Sequence, residues 1–206
     1  MYFCAMRDKI LLGATDLFLN YGFKSITMDD IANNLGMSKK TIYQYFDNKT
    51  KLVEATVLYL FEFISAGIDN ICSLEQNPIE EIYRIKQFVM EHLKDEKSSP
   101  QYQLQKYYPK ISNTLKTKQF EVMQSCVVKN LQRGIALGLY RDSLNVQFIA
   151  RIYFNSMMAL KDNDLFPLHQ YSMPMMMNHY LEYHLRGICT PEGLITLNKF
   201  INSHQS

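Results

Sequence analysis

Residues 27–46 read TMDDIANNLGMSKKTIYQYF, and the folding of this stretch decides how the rest of the chain is understood. Thr27 is a good helix N-cap, and Asp30, three residues on, stands in capping-box position. Ile31, Ala32 and Leu35 recur at helical spacing and predict one inner face. Gly36 then supplies a turn, Ser38 caps a third helix, and Ile42 and Phe46, one turn apart, point inward. Two short capped helices about a glycine are the pattern of a helix-turn-helix.

The flanking sequence extends the same periodicity. A first helix is expected over about 6–21, with Ile10, Leu11, Ala14, Leu17, Phe18 and Tyr21 on one stripe and Gly22 ending it. After Asp47 and Asn48 a long fourth helix runs to about Cys72, and Asn77-Pro78 opens a fifth. Lys94 to Pro100 reads as a loop, a broken helix ends near Pro109, and another helix occupies about 112–138. Helices over about 145–162 and 174–187 follow, and Thr190-Pro191-Glu192 opens a last one. Strand signals are nearly missing: there is no sustained alternation and no Asn-Gly or Asp-Gly hairpin. The expected fold is all-α, with a three-helix head over residues 1–48 and a helical body over 49–206.

The 206 residues carry 22 Lys and Arg against 20 Asp and Glu, a net charge of only +2. Any nucleic-acid contact must therefore come from clustered charge. Between Ser38 and Lys51 stand Lys39, Lys40, Lys49 and Lys51 against the single acid Asp47, and the cluster coincides with the turn and its caps. With Ile42 and Phe46 inward, Lys39, Lys40, Thr41, Tyr43, Gln44 and Tyr45 are expected near or on the outer surface of the third helix. Such groups hydrogen-bond phosphates and base edges. Gln44 suits bidentate reading of adenine, and Thr41 offers a methyl or hydroxyl to another base edge. Thr27, Tyr43, Tyr45 and Lys49 suit phosphate contact, and Ser38, at the helix N-terminus, completes the candidate set.

The run KILLGATDLFLNYGFKSITMDDIANNLGMSKKTIYQYFDNKTKLVEA, residues 9–55, resembles the DNA-binding head of the TetR family of bacterial regulators. The resemblance rests on Ala14 and Phe18, the Tyr21-Gly22-Phe23 ending, Thr27, Ile31-Ala32, Leu35-Gly36, Ser38, Thr41-Ile42-Tyr43, Phe46 and Lys49. The segment 134–150, GIALGLYRDSLNVQFIA, is similar to the family's stretch leading into its dimerisation helices, though less specific. The resemblance implies a homodimer joined by its last long helices, and a body whose ligand moves helix four and thereby the heads. Some family members place a base-reading Arg early in helix two; here Asp29 stands, which would repel phosphate.

The expected partners are double-stranded operator DNA, a second copy of the chain and an apolar or aromatic small-molecule effector. The apolar faces that would join two copies include Ile149, Ile152, Tyr153, Met157, Tyr180, Leu181, Leu185 and Ile188. The body is rich in aromatics and methionines, and Phe61, Phe63, Phe88, Tyr107, Tyr108 and Met123 are the candidates to line a pocket. Two other readings stand beside this one: a DNA-binding regulator that answers a protein partner instead of a small molecule, and a helical enzyme or binding protein whose helix-turn-helix is structural.

Several functions find no residues to carry them. Cys4, Cys72, Cys126 and Cys189 lie far apart, with no C-x-x-C pair and no histidine spacing for zinc, and are expected as reduced interior thiols. His179 and His184, five apart, do not share a helix face closely enough for a metal clamp. No nucleophilic triad, Gly-rich phosphate loop or H-E-x-x-H motif appears, so neither catalysis nor a cofactor is expected. The start of the chain has no secretory pattern and no run is apolar enough to span a membrane, which predicts a cytoplasmic protein.

Overall fold

The helical periodicity of the sequence is realised in ten helices among the described residues: α1 (Tyr2–Tyr21), α2 (Met28–Leu35), α3 (Lys39–Tyr43), α4 (Lys49–Ser73), α5 (Pro78–Leu93), α6 (Pro100–Tyr107), α7 (Pro109–Ala136), α8 (Val146–Ala159), α9 (Met173–Ile188) and α10 (Pro191–His204). The structure is a computed structural model describing residues 2–93, 100–162, 164–167 and 169–204. The loop expected over Lys94–Ser99 and the side chain of Cys4 lie outside the described residues. Among those described, extended pairing is limited to one isolated bridge between Tyr140 and Cys189. Two prolines behave differently from expectation. Pro100, expected in a loop, opens α6, and Pro109 opens α7 rather than only ending the helix before it. A first-turn position has no helical acceptor for its N–H, so proline costs nothing there.

The helices divide into two compact units, one of Met1–Ile64 with Leu93–Lys118, the other of Ser65–His92 with Gln119–Ser206. This does not coincide with a boundary at 48/49, because α4 supplies Leu52, Val53 and Val57 to the first unit's core, as do Leu104 of α6 and Ile111 of α7.

In the first unit Ile10, Leu11, Ala14, Leu17 and Phe18 of α1 are buried as the stripe predicts, whereas Tyr21 is 61% exposed. Gly22, at φ +84°, ends α1 before the stripe reaches its next turn. Phe23 packs on Phe18 at 5.2 Å between ring centroids and meets Tyr108 edge-on at 6.3 Å. Gly13 lets α2 approach α1 closely, since a Cβ there would stand 2.5 Å from a Leu35 methyl.

The second unit centres on Leu131, Tyr140, Leu181, Leu185 and Leu197. It also encloses a carboxylate: Glu81 of α5, 1% exposed. Asn130 donates to Glu81 at 2.8 Å and Arg133 at 2.7 Å, both from α7. Asn130 further donates to the Pro78 carbonyl at 2.9 Å and accepts from the Tyr140 hydroxyl. A buried charge survives only when paired and hydrogen-bonded in this way.

α8 lies against α9 through Tyr153, which meets Tyr180 at 5.8 Å and His184 at 5.0 Å. Met157, Leu181, Leu185 and Ile188, expected on a face between chains, are instead buried in this unit's own core, and Ile149, Tyr153 and Tyr180 are half-buried. Of that set Ile152 alone is exposed.

Burial pushes the His184 imidazole down to about 4, so the folded protein binds it neutral while an unfolded chain protonates it near pH 6.5. Its contribution is complete above about pH 6.5 and is lost as pH falls toward 4, below which both states carry the proton. The expected loss over that window is about 3 kcal/mol. His184→Phe, which keeps the stack with Tyr153 and Tyr180, should flatten the pH dependence of the urea unfolding midpoint between pH 6.5 and 4; an unchanged slope would contradict the assignment.

Candidate nucleic-acid interface

Residues 27–46 fold as their capping chemistry requires. The Thr27 hydroxyl accepts from the Asp30 amide at 3.2 Å, and the Thr27 amide donates to the Asp30 carboxylate at 2.8 Å. The Thr27 backbone N–H first, and then the Thr27 hydroxyl, which donates to the same carboxylate at 2.7 Å, hold the Asp30 carboxyl below its ordinary value. Gly36 ends α2 in the left-handed region at φ +62°, and the Met37 amide reaches back to the Ala32 carbonyl at 3.0 Å. That is the hydrogen-bond pattern of a Schellman ending. Ser38 caps α3 by accepting from the Thr41 amide at 3.1 Å. Ile42 and Phe46 are buried, as the one-turn spacing predicts.

Anchored by these two side chains, α3 presents Lys40, Tyr43 and Gln44 outward, all exposed. Their i, i+3, i+4 relation puts them on one face. Lys39 is engaged elsewhere: its ammonium pairs with Asp29 of α2 at 2.7 Å. Asp29 thus meets a cation of the same head. Lys51 pairs similarly with Glu54 at 2.7 Å. Among the described residues no carboxylate pairs with Lys40.

Lys49, at the start of α4, donates to the Lys24 carbonyl at 3.2 Å. Desolvation lowers its pKa, opposed by the Asp30 charge. Thr27 and Ser38 are exposed but committed to their caps, and Thr41 is half-buried. Tyr45 departs from expectation. It is half-buried against the first unit's core and lines a cleft of about 510 Å³ with Arg7, Asp8, Leu58 and Glu62, rather than joining Lys40 and Gln44.

Two basic groups of the same unit escaped the local reading. The Lys24 ammonium sits over the Tyr107 ring at 4.9 Å, and that of Lys106 at 5.7 Å. Since Lys49 bonds the Lys24 carbonyl, this aromatic-cation group adjoins the start of α4. The signal was present in the sequence as a run from Pro100 to Phe120 with Lys106, Lys110, Lys116 and Lys118 and no acid.

The six pocket candidates divide between the two units. Phe61, Phe63, Tyr107 and Tyr108 belong to the first unit, Phe88 and Met123 to the second. Phe63 and Tyr107 are exposed. Phe88 fills the space over Gly67 and stacks on His92 at 4.4 Å, and Met123 packs against the second core.

A doubly capped turn carrying an outward polar helix defines a helix-turn-helix protein with an all-helical remainder. Residues 10–56 match the family model of the bacterial regulatory proteins of the tetR family. The chain is similar to the biofilm operon icaADBC HTH-type negative transcriptional regulator IcaR of Staphylococcus aureus strain Newman, with 33% identity over 91 residues, 44% of this chain and 47% of that protein. The matched chain thus spans about half the length of that curated relative. Similarity to the HTH-type transcriptional repressor KstR2 of Mycolicibacterium smegmatis is 23% over 152 residues, 70% of this chain and 72% of that one. A crystal structure of a TetR-family transcriptional regulator from Agrobacterium tumefaciens shares the fold at a TM-score of 0.71 and 17% identity, covering 90% of this chain and 98% of that chain.

The left-handed turn is testable without any ligand. A Cβ at Gly36 meets nothing within 4 Å, so the cost of Gly36→Ala is that of the backbone alone, about 1 kcal/mol. Asn tolerates this conformation better, and Gly36→Asn should lose clearly less in thermal unfolding; equal losses would place the constraint elsewhere.

Proposed function

We propose that this protein is a homodimeric transcriptional repressor of the cytoplasm that binds operator DNA through α3 and is released by a small molecule. The observation that carries the reading is the outward face of Lys40, Tyr43 and Gln44 on a helix fixed at both sides by caps and buried anchors. In this reading α3 lies in the major groove, Gln44 reads a base edge, and Lys40 and Tyr43 hold phosphates. Thr27, Ser38, Lys39, Thr41 and Lys49 form the flanks. Lys24 and Lys106 extend the positive edge, and Tyr45 supports α3 from behind.

Lys49 is tied to a backbone carbonyl, so Lys40 is the cleaner probe of phosphate contact. Lys40→Ala should weaken binding to operator and random duplex alike and flatten the salt slope by about one unit. Gln44→Ala should relax choice at one base pair, at about 1 to 3 kcal/mol. Equal losses for both variants on specific and random DNA would sink the division, and a wild-type protein without a steep salt slope would sink the reading.

Dimerisation is assigned to the outer side of α8 and α9, where Phe148, Ile152, Met175 and Tyr183 are exposed, Tyr183 by 77%. The effector is an apolar or aromatic molecule, a reading supported by half-buried Phe61 and Tyr108 of the first unit. The alternative of a regulator without such a ligand is favoured by the close packing of Phe88 on Gly67 and His92. A thermal-shift screen with planar aromatic compounds, followed by operator titration, separates the two.

Tyr183→Glu or Phe148→Glu should give folded monomers with poor operator affinity. Leu181→Glu, at a position with no exposure, should instead unfold the chain. Sedimentation and far-ultraviolet circular dichroism check this; a dimeric Phe148→Glu, Tyr183→Glu double variant would move the interface elsewhere.

A further inference from the structure

Cys72 lies in the last turns of α4 and Cys126 on α7, 54 residues apart in sequence, and their sulfurs stand 3.1 Å from each other. Both belong to the second unit, and both are half-buried free thiols. Cys189, by contrast, is a buried thiol at the end of α9. A thiol that serves only to fill a core needs neither a sulfur partner nor access to solvent, and this pair has both. We propose that Cys72 and Cys126 are a reversible oxidation site, which a hydroperoxide converts to an intramolecular disulfide.

Closing the bond brings the sulfurs from 3.1 Å to about 2.05 Å, an approach of about 1 Å. Either sulfur can donate in the contact; the hydrogen bond from Cys126 lowers the Cys72 thiol below its ordinary value, against the opposing effect of burial. The same bond, with burial, raises Cys126. The Arg133 guanidinium adds to the preference for thiolate at Cys72, while Glu81 and Asp69 oppose it. Cys72 is therefore the attacking sulfur and Cys126 the resolving one.

The chemistry proceeds in two steps. The Cys72 thiolate attacks the peroxide; an S–O bond forms, the O–O bond breaks, and the alkoxide takes a proton and leaves as alcohol. The resulting sulfenic acid is then attacked by the Cys126 sulfur, so that an S–S bond forms, the S–O bond breaks, and hydroxide departs with the Cys126 proton as water. Two thiols lose two electrons and the hydroperoxide gains them. A thiol reductant reverses the change by exchange.

The test treats the reduced full chain with a small excess of cumene hydroperoxide. The expected result is a mass lower by about 2 Da, a fall from four titratable thiols to two, and a non-reduced digest joining the Cys72 peptide to the Cys126 peptide. Dithiothreitol should restore all of them. In Cys126→Ser, Cys72 should accumulate as a sulfenic acid trapped by dimedone, whereas Cys72→Ser should leave Cys126 reduced at the same dose. Retention of all thiols, a linkage to Cys4 or Cys189, a disulfide between chains, or Cys72 sulfinate in the wild-type protein would overturn the assignment. Should either serine variant fold poorly, the wild-type peptide map alone decides.

Discussion

One left-handed residue sets the geometry of the head. Gly36 at φ +62° lets the chain reverse within two residues, because the Met37 amide closes on the Ala32 carbonyl while Ser38 is already placed to cap the next helix. The helix that follows has only five residues, far fewer than a helix needs to persist alone in water. Its existence therefore rests on what surrounds it: the Ser38 cap at one end, and Ile42 and Phe46 sunk into the core on the inner side. The outward direction of Lys40, Tyr43 and Gln44 is a by-product of these inward commitments. The Lys39–Asp29 pair joins α3 to α2 as well, but both side chains are about half in solvent, and such pairs contribute little.

The second unit is ordered by a different means. Its α5 and α7 share an ionised cluster, with Glu81 held by Asn130 and Arg133, and Asn130 held in turn by the Pro78 carbonyl and the Tyr140 hydroxyl. Apolar contacts along two helices tolerate sliding, whereas a carboxylate with directed donors accepts one register. Tyr140 is fixed from two sides, since its ring also covers Gly134, where a Cβ would stand 2.0 Å away. The chain thus turns from α7 toward α8 over a glycine that leaves room for an aromatic ring.

Much of this was legible in the sequence, for physical reasons that differ by element. Thr27, Asp30, Gly36 and Ser38 act over three or four residues, so their roles follow from spacing and the structure reproduces them. The boundary of the first compact unit was not legible, because it depends on Leu104 and Ile111 returning from more than forty residues past the head to meet Phe23 and its neighbours. Tyr21 and Tyr45 show a related limit. Helical spacing placed one on the buried stripe and the other near the outer face, but Gly22 stops α1 before Tyr21 is covered, and Tyr45 follows the end of α3 and leans on the core. Glu80 and Glu81 both stand in the first turn of α5, where the helix dipole favours an acid; only contact with α7 distinguishes the buried one.

The last helices show why a periodic apolar stripe does not reveal which neighbour it faces. On α8, Ala150, Phe154 and Met157 turn inward, and Phe148 and Ile152 turn out, so the helix is apolar on two sides. On α9, Leu181 and Leu185 are enclosed while Met175 and Tyr183 are exposed. From sequence the larger apolar side was assigned to a second chain, yet a helix first satisfies its own core, and what remains is the narrower outer strip. That remainder has a consequence under the proposed reading. An α3 of five residues offers few base contacts, so useful discrimination needs two heads on half-sites about 34–36 Å apart. A twofold axis provides this with a single patch used twice, each chain presenting and receiving the same surface. Under that reading, exposed Phe148 and Ile152 of α8 and Met175 and Tyr183 of α9 are the apolar side chains left over for such a surface, and the shortness of α3 is what would give their exposure a purpose.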